Sequence, residues 1–191
     1  MTQATSLAQG AALTPETWGD FVERLHHDCV GECVRDHYTA DAVFLVQKRV
    51  WQTVPEEISD ILRVHTDGYD EPLSEFIADL EPEELKALDK EVDGSFADAD
   101  AYEQKNALAK LHPDSTLYHA FEDWETVNQH FTKDAAEAFI RRKKHDYRHG
   151  LRVYVDASTY SWELNTIKAA ILSGRIGLLP EQAAQGEKQC S

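Results

Sequence analysis

The sequence has few cysteines, few basic residues and no long apolar stretch. Three cysteines in 191 residues, an odd number without a framework spacing, are typical of a reducing cytoplasm rather than of a disulfide-linked secreted protein. No apolar run approaches the roughly 20 residues that a membrane-spanning helix needs. The opening residues, MTQATSLAQGAALTPE, have neither a basic start nor a long apolar centre, so no secretory signal is expected. These absences predict a cytoplasmic protein that has no membrane partner.

Catalytic signatures are also missing. The chain contains no G-x-S-x-G elbow, no Walker loop, no H-E-x-x-H pair and no dinucleotide-binding fingerprint. His145, Asp146, Tyr147 and His149 carry groups suited to acid–base chemistry, but a polar turn after a helix is the simpler interpretation of them. We therefore expect a protein that is not an enzyme, with no catalytic residues.

The negative charge is concentrated in one segment. The chain has 35 acidic and 19 basic residues, and its net charge is −16. Residues 67–103 contain fourteen acids and two bases and so carry −12 of that charge, whereas residues 105–175 carry +2. A net charge this negative repels phosphate groups, which argues against nucleic acid as a direct partner. The pattern is that of a slightly basic body with an acidic insertion.

The order of periodic segments predicts an α+β fold, in which a small, mainly antiparallel sheet is packed with helices. The predicted strands lie near residues 43–54, 59–66, 117–128 and 151–157. The first two are expected to form a hairpin, with a short helix as the alternative for the second.

The expected domain organisation is a single α+β domain with an insertion. The predicted parts are a flexible N-terminus (1–13), the domain (14–180), an acidic helical insert within it (about 67–111) and a flexible tail (181–191). The insert should contain two helices separated at Pro82 and a third helix at about 98–111.

Two further helices have clear start signals. Thr14 is a favourable N-cap and Pro15 suits the first helical turn. An apolar stripe follows at i, i+3, i+4 and i+7, formed by Trp18, Phe21, Val22 and Leu25. Thr132 is predicted to cap a later helix, and the last predicted helix covers about residues 160–172 and ends at Gly174.

The segment AFIRRKKHDYRHGLRVYVDAS, residues 138–158, is unusually basic for this chain. The RRKKH run falls in the last turn of the helix that Thr132 begins, where cations oppose the negative end of the helix dipole. On the following strand, Leu151, Val153 and Val155 should share one face. We interpret the segment as a solvated helix end; an intramolecular partner for the acidic insert and a phosphate or nucleic-acid site are the alternatives.

The same segment carries a resemblance. Phe131, Thr132, the IRRKKHDYR run, RVYV at 152–155, and Trp162 with Glu163 resemble the C-terminal part of small acidic proteins encoded by tailed phages and prophages of proteobacteria. LHHDCVG and DHYTADAVFLVQKRV, nearer the N-terminus, are similar to that group as well. The resemblance implies an accessory protein of a mobile element that acts in the cytoplasm of a bacterial host, and it implies no chemistry.

The acidic insert is the candidate partner-binding site. Its carboxylates can imitate the phosphate run of a nucleic acid and occupy the basic groove of a nucleic-acid-binding protein. The predicted function is a non-enzymatic inhibitor of anti-defence, anti-CRISPR or antirestriction type that binds a nucleic-acid-binding host defence complex. The alternatives are a surface that only confers solubility and a host-interaction protein of another kind. The predicted contact residues are Asp70, Glu71, Glu75, Asp79, Glu81, Glu83, Glu84 and Asp89.

A second hypothesis is a small metal-binding regulatory module. The segment HHDCVGECVRDH supplies two imidazoles and two thiols, which is the ligand chemistry of zinc. The candidate ligands are His26, Cys29, Cys33 and His37. Their spacing matches no standard zinc finger, and ordinary buried cysteines with surface histidines explain it equally well. We expect no cofactor, with zinc at this cluster as the alternative.

Overall fold

The computed structural model describes residues 5–32, 34–37 and 41–179. It has the α+β fold that the sequence predicts, with an antiparallel sheet of five strands in the order β3-β2-β4-β1-β5. The strands are Ala42–Thr53 (β1), Ile61–Thr66 (β2), Tyr69–Pro72 (β3), Ser115–His130 (β4) and Leu151–Ala157 (β5).

Seven α-helices occur within the described residues. They are Pro15–Cys29 (α1), Val34–His37 (α2), Leu73–Asp79 (α3), Pro82–Glu91 (α4), Ala101–Leu111 (α5), Lys133–Lys143 (α6) and Trp162–Leu172 (α7). Helices α3, α4 and α5 lie in the chain between β3 and β4, which confirms the predicted helical insertion and its break at Pro82.

The predicted hairpin between the first two strands is wrong. Strand β2 pairs with β3 and β4, and in the sheet order β4 separates it from β1. The hairpin partner is β3, which the sequence analysis assigned to the acidic insert. Asp67 and Gly68 both have positive φ, as a tight two-residue turn with the twist of a hairpin requires. The dipeptide Asp-Gly was therefore the signal for this strand pair.

The chain forms two compact units. Unit 1 comprises Met1–Lys48 and Glu125–Ser191, and unit 2 comprises Arg49–Trp124. Strands β1 and β4 contribute residues to both units. Unit 2 is larger than the predicted insertion, because it also contains β2 and one end of each of the long strands β1 and β4.

The core of unit 1 is apolar and includes two of the faces that the sequence predicts. Leu25 of α1, Phe44 and Val46 of β1, Ala136 of α6 and Ile171 of α7 are buried together. The predicted stripe of α1 and the predicted inner face of β5 both belong to this core. Their partly buried members are Trp18, Phe21, Val22, Leu151, Val153 and Val155.

Helix α6 receives its N-cap from a distant part of the chain. The predicted cap, Thr132, stands at the N-cap position, but its side chain makes no capping hydrogen bond. Instead, Oδ2 of the buried Asp28, in α1, accepts the backbone N–H of Lys133 at 2.7 Å. The side chain of Thr132 therefore does not cap α6, and a carboxylate from α1 does.

The N-terminal residues 5–13, predicted as a flexible lead, are ordered in part. Leu7–Gln9 form a 3-10 turn, Ser6 is buried, and Nη1 of Arg142 donates to the carbonyl oxygen of Ala8 at 3.1 Å. The predictions for residues 1–4 and for the tail 181–191 lie outside the described residues.

The core of unit 2 lies between the sheet and helices α3, α4 and α5. Val64 and Leu117 from β2 and β4 pack with Leu73, Leu88 and Leu108 from the three helices, and Phe96 fills the centre. Phe96 is held by its backbone, because its N–H donates to Oδ1 of Asp89 at 2.8 Å and its carbonyl accepts from Gln104 at 2.8 Å.

Replacement of Asp28 tests the long-range cap. Asp28→Ala should lower the free energy of unfolding by about 1–2 kcal/mol, because it leaves the first N–H of α6 without its side-chain acceptor. Urea denaturation measures this loss. Asp28→Asn, which keeps an acceptor oxygen, should retain more stability than the alanine variant. Equal stabilities of Asp28→Ala and wild type would contradict the assignment.

Candidate functional site

Unit 2 carries nearly all of the negative charge of the chain. Residues 49–124 contain twenty acidic and six basic side chains, a net charge of −14 out of −16. The apolar sides of α3, α4 and α5 are used by the core of unit 2, so their charged side chains lie outside it. This gives a helical surface dominated by carboxylates.

Most of the eight predicted contact residues are exposed. Glu75 and Asp79 are four apart on α3 and therefore lie on the same side of that helix. Glu83, in the first turn of α4, is 85% exposed and pairs with Lys86 at 2.9 Å. Glu81 and Glu84 are exposed too, although Glu84 accepts the backbone N–H of Glu81 at 3.1 Å and so helps to begin α4. Glu71, on β3, is half-buried.

Two further carboxylates of the eight hold parts of unit 2 together. Asp89 accepts the N–H of Phe96, as described above. Asp70 accepts from Nε of Arg63 at 3.1 Å and from the hydroxyl of Tyr118 at 2.7 Å. Both carboxylates stabilise unit 2 from within. The accessible surface is formed by the five exposed ones, Glu75, Asp79, Glu81, Glu83 and Glu84.

Arg63 is the centre of a buried polar network. It is 1% exposed, its Nη2 donates to the backbone oxygen of Asp70 at 2.9 Å, and its guanidinium stacks 4.3 Å from the ring centroid of Trp51. Burial, and then the hydrogen bond to Asp70, raise the pKa of Tyr118. Nothing in the local sequence around Arg63 distinguishes it from a surface arginine.

The aromatic residues of the insert divide into two groups. Phe96 is fully buried and Phe76 is partly buried, so both belong to the core. Tyr69 and Tyr102 are 64% and 75% exposed and lie on the outside of unit 2. Only the side chains of the second pair are exposed enough to contact a partner.

Of the four predicted metal ligands, the three that the structure describes do not form a metal-binding group. Cys33 lies outside the described residues. His26 is exposed, whereas Cys29 is buried and directs its Sγ to the carbonyl oxygen of Ala42 at 3.7 Å. His37 packs edge-on against Phe44. Across residues 5–32, 34–37 and 41–179, no three His, Cys, Asp or Glu side chains are arranged to hold a metal ion. The zinc hypothesis, which includes Cys33, stays a prediction.

The basic run at the end of α6 is a solvated helix end. Arg141 lies 3.7 Å from Glu137, and Lys143 lies 2.7 Å from Asp146, all within the same helix and the turn after it. His145, the proposed acid–base residue, is exposed and contacts Asp146 at 3.0 Å. This agrees with the interpretation of the run as a polar turn.

Unit 1 contains a groove of about 530 Å³ that the sequence analysis did not anticipate. Its walls come from α1, α2 and the start of α6, and many of its carboxylates already have partners. Arg24 pairs with both Asp20 and Asp134, and Asp28 caps α6. The lining residues are Asp20, Glu23, Arg24, His27, Asp28, Asp36, Lys133, Asp134 and Glu137.

A buried lysine lies close to a serine in unit 1. Lys168 is 2% exposed, and its Nζ donates to Oγ of Ser158 at 2.9 Å and to the carbonyl of Ala42 at 3.3 Å. Burial lowers the pKa of Lys168. Ser158 is itself buried, and its hydroxyl lies 2.6 Å from the carbonyl oxygen of Asp41. The pair therefore ties β1 to α7 and is shielded from solvent.

Comparison of the chain with family models, with curated proteins and with solved structures gives no match. Among the described residues, no helix combines the length and apolar composition required to cross a bilayer. The function must therefore be argued from the surfaces of the two units.

The two classes of carboxylate differ in their effect on stability. Asp70→Ala should lower the free energy of unfolding by about 3 kcal/mol, because it leaves the guanidinium of Arg63 buried without its counter-ion. Glu75→Ala, the exposed control, should change it by less than about 0.5 kcal/mol. Chemical denaturation of both variants measures these changes. Similar losses of unfolding free energy in Asp70→Ala and Glu75→Ala would contradict the distinction between structural and exposed carboxylates.

His130 provides a test by pH. Burial, and then the charge of Arg142, lower the pKa of His130, whose ring packs against Phe139 in unit 1. Just below the ordinary histidine pKa, His130 is therefore protonated more fully in the unfolded chain than in the folded one. Its contribution lowers the free energy of unfolding as pH falls from about 7 to about 5. His130→Phe should remove that part of the decline in thermal stability, whereas His65→Gln, at an exposed site, should not. Parallel curves for wild type and His130→Phe would contradict this.

Proposed function

We propose that this protein is a non-enzymatic inhibitor that binds the basic, nucleic-acid-binding surface of another protein through α3 and α4. The observation that carries the proposal is the row of exposed carboxylates on a folded helical surface, with Glu75 and Asp79 on one side of α3 and Glu83 at the start of α4. The net charge of −14 on unit 2 supports it.

The proposed mechanism is competition with nucleic acid. Duplex DNA carries about one negative charge per 1.7 Å of axis, and its binding proteins present complementary basic grooves. A carboxylate surface held by a packed core enters such a groove without ordering a flexible chain, so little conformational entropy is lost on binding. Long-range attraction between the opposite charges also speeds the encounter.

Aromatic side chains beside the carboxylates add short-range affinity. Tyr69 and Tyr102 are both largely exposed, and tyrosine is enriched among the residues that dominate protein interfaces. Under the resemblance to phage and prophage accessory proteins, the partner is a host defence complex of the CRISPR or restriction type in the bacterial cytoplasm. The inhibitor then needs no cofactor and no catalytic residue.

The test is affinity capture from a proteobacterial lysate with the wild-type protein, at low and at raised salt. We expect one nucleic-acid-binding complex whose recovery falls as salt rises, because screening weakens the attraction between exposed charges. The variant Glu75→Lys/Asp79→Lys/Glu83→Lys should lose the complex.

A matched control separates the specific surface from net charge. The variant Glu57→Lys/Asp60→Lys/Asp114→Lys makes the same change in charge at exposed positions of unit 2 outside α3 and α4. It should retain most of the binding. Equal loss in both variants would show that only total charge matters, and unchanged capture by the first variant would remove the basis for the proposal.

A further inference from the structure

One face of the sheet in unit 2 is lined by aromatic and charged side chains. Arg49 and Trp51 are two apart on β1 and so share a face. Arg63 on β2 stands opposite Tyr118 on β4, and its stacking on Trp51 places all four on the same face. Helices α3, α4 and α5 pack instead with Val64 and Leu117, which alternate with Arg63 and Tyr118 and belong to the other face. The residues of this aromatic face are Arg49, Trp51, Arg63, Tyr118, Glu122 and Trp124.

Two arginine–tryptophan pairs organise the aromatic face. The guanidinium of Arg63 lies 4.3 Å from the ring centroid of Trp51, across the intervening strand β4. The guanidinium of Arg49 lies 5.2 Å from the centroid of Trp124. Such stacking orients guanidinium groups but leaves their N–H groups available for hydrogen bonds in the guanidinium plane.

Three nitrogen atoms on this face are shielded from solvent and have no hydrogen-bond partner among the described residues. They are Nε of Arg49, Nε1 of Trp51 and Nη1 of Arg63. A buried polar group without a partner is costly, and native structures contain few of them. All three atoms are donors, and two belong to cations, so a group that satisfied them would be an acceptor with negative charge.

The neighbouring carboxylates do not fill this role. Asp70 is already bound to Nε of Arg63 and to Tyr118. Glu122 accepts from Nε1 of Trp124 at 2.9 Å, and it lies 3.6 Å from Nε of Arg49, which is too long for a hydrogen bond. The charges of Arg49 and Arg63 cancel those of Asp70 and Glu122. The aromatic face is therefore locally neutral, whereas unit 2 as a whole is negative and repels anions.

We propose that the aromatic face binds a small oxyanion, a carboxylate or phosphate group, through Nη1 of Arg63, Nε1 of Trp51 and Nε of Arg49. Because Arg63 is almost fully buried, the site accepts a single charged group rather than a polymer. The side chain of Arg49 is 40% exposed, so it is the group that moves aside to admit the ligand and then closes over it. The site is separate from the acidic surface of α3 and α4 and does not depend on the function proposed for it.

The test is titration of the full-length protein with inorganic phosphate and with malonate at constant ionic strength, followed by calorimetry and by the shift in melting temperature. We expect saturable binding of at least one anion. Trp51→Phe keeps the ring under Arg63 and removes only the N–H donor, so affinity should fall about tenfold. Trp162→Phe, the same change at an exposed position of unit 1, should leave affinity unchanged.

A second variant protects the test against misfolding. Arg49→Lys keeps the charge at an exposed side chain but removes the Nε donor, and it should weaken binding as well. Binding of phosphate alone would identify a phosphoryl ligand, and binding of malonate alone a carboxylate ligand. Absence of saturable binding by the wild type, or equal affinity in wild type, Trp51→Phe and Arg49→Lys, would overturn the proposal.

Discussion

The buried ion pair between Arg63 and Asp70 is the interaction on which unit 2 depends. Arg63 lies on β2, and its guanidinium binds the carboxylate of Asp70 on β3 and stacks on Trp51 of β1. The same carboxylate accepts a hydrogen bond from Tyr118 on β4. One cation thus links four strands within a unit that carries a net charge of −14. Since a buried charge is tolerated only with a well-placed partner, this contact also favours the observed pairing of the strands over alternatives.

The same chemical group has different roles in different places. Asp28 caps α6, Asp70 neutralises Arg63, and Asp89 holds the loop at Phe96, each through a short hydrogen bond to a defined donor. Glu75 and Asp79 make no such contribution to the core and face solvent. Some carboxylates of this acidic chain therefore stabilise the fold. The surface proposed to bind a partner consists of exposed carboxylates that do not.

Local signals predicted the elements, and long-range contacts decided how they are arranged. Thr14 with Pro15, the stripe of α1, the alternation in β5 and the break at Pro82 all act within a few residues, and each was confirmed. The hairpin of β1 with β2 was wrong because adjacency in sequence does not determine strand order once β4 can insert between them. The turn at Asp67 and Gly68 is a local hairpin signal that the charge count, which places both residues in the acidic insert, does not detect.

The candidate sites, too, could be predicted from the sequence only in part. The sequence by itself determined the α+β class, the location of the acidic helices and the solvated basic end of α6, because composition and periodicity report which residues can be buried. Only the tertiary structure decided that Asp70 and Asp89 accept hydrogen bonds within unit 2 and that Lys168 is buried beside Ser158. It also decided that Arg49, Trp51 and Arg63 share a face on which three donors have no hydrogen-bond acceptor among the described residues. These contacts join residues of different elements, from seven positions apart (Arg63 with Asp70) to 48 (Tyr118 with Asp70), and they form only when those elements pack together.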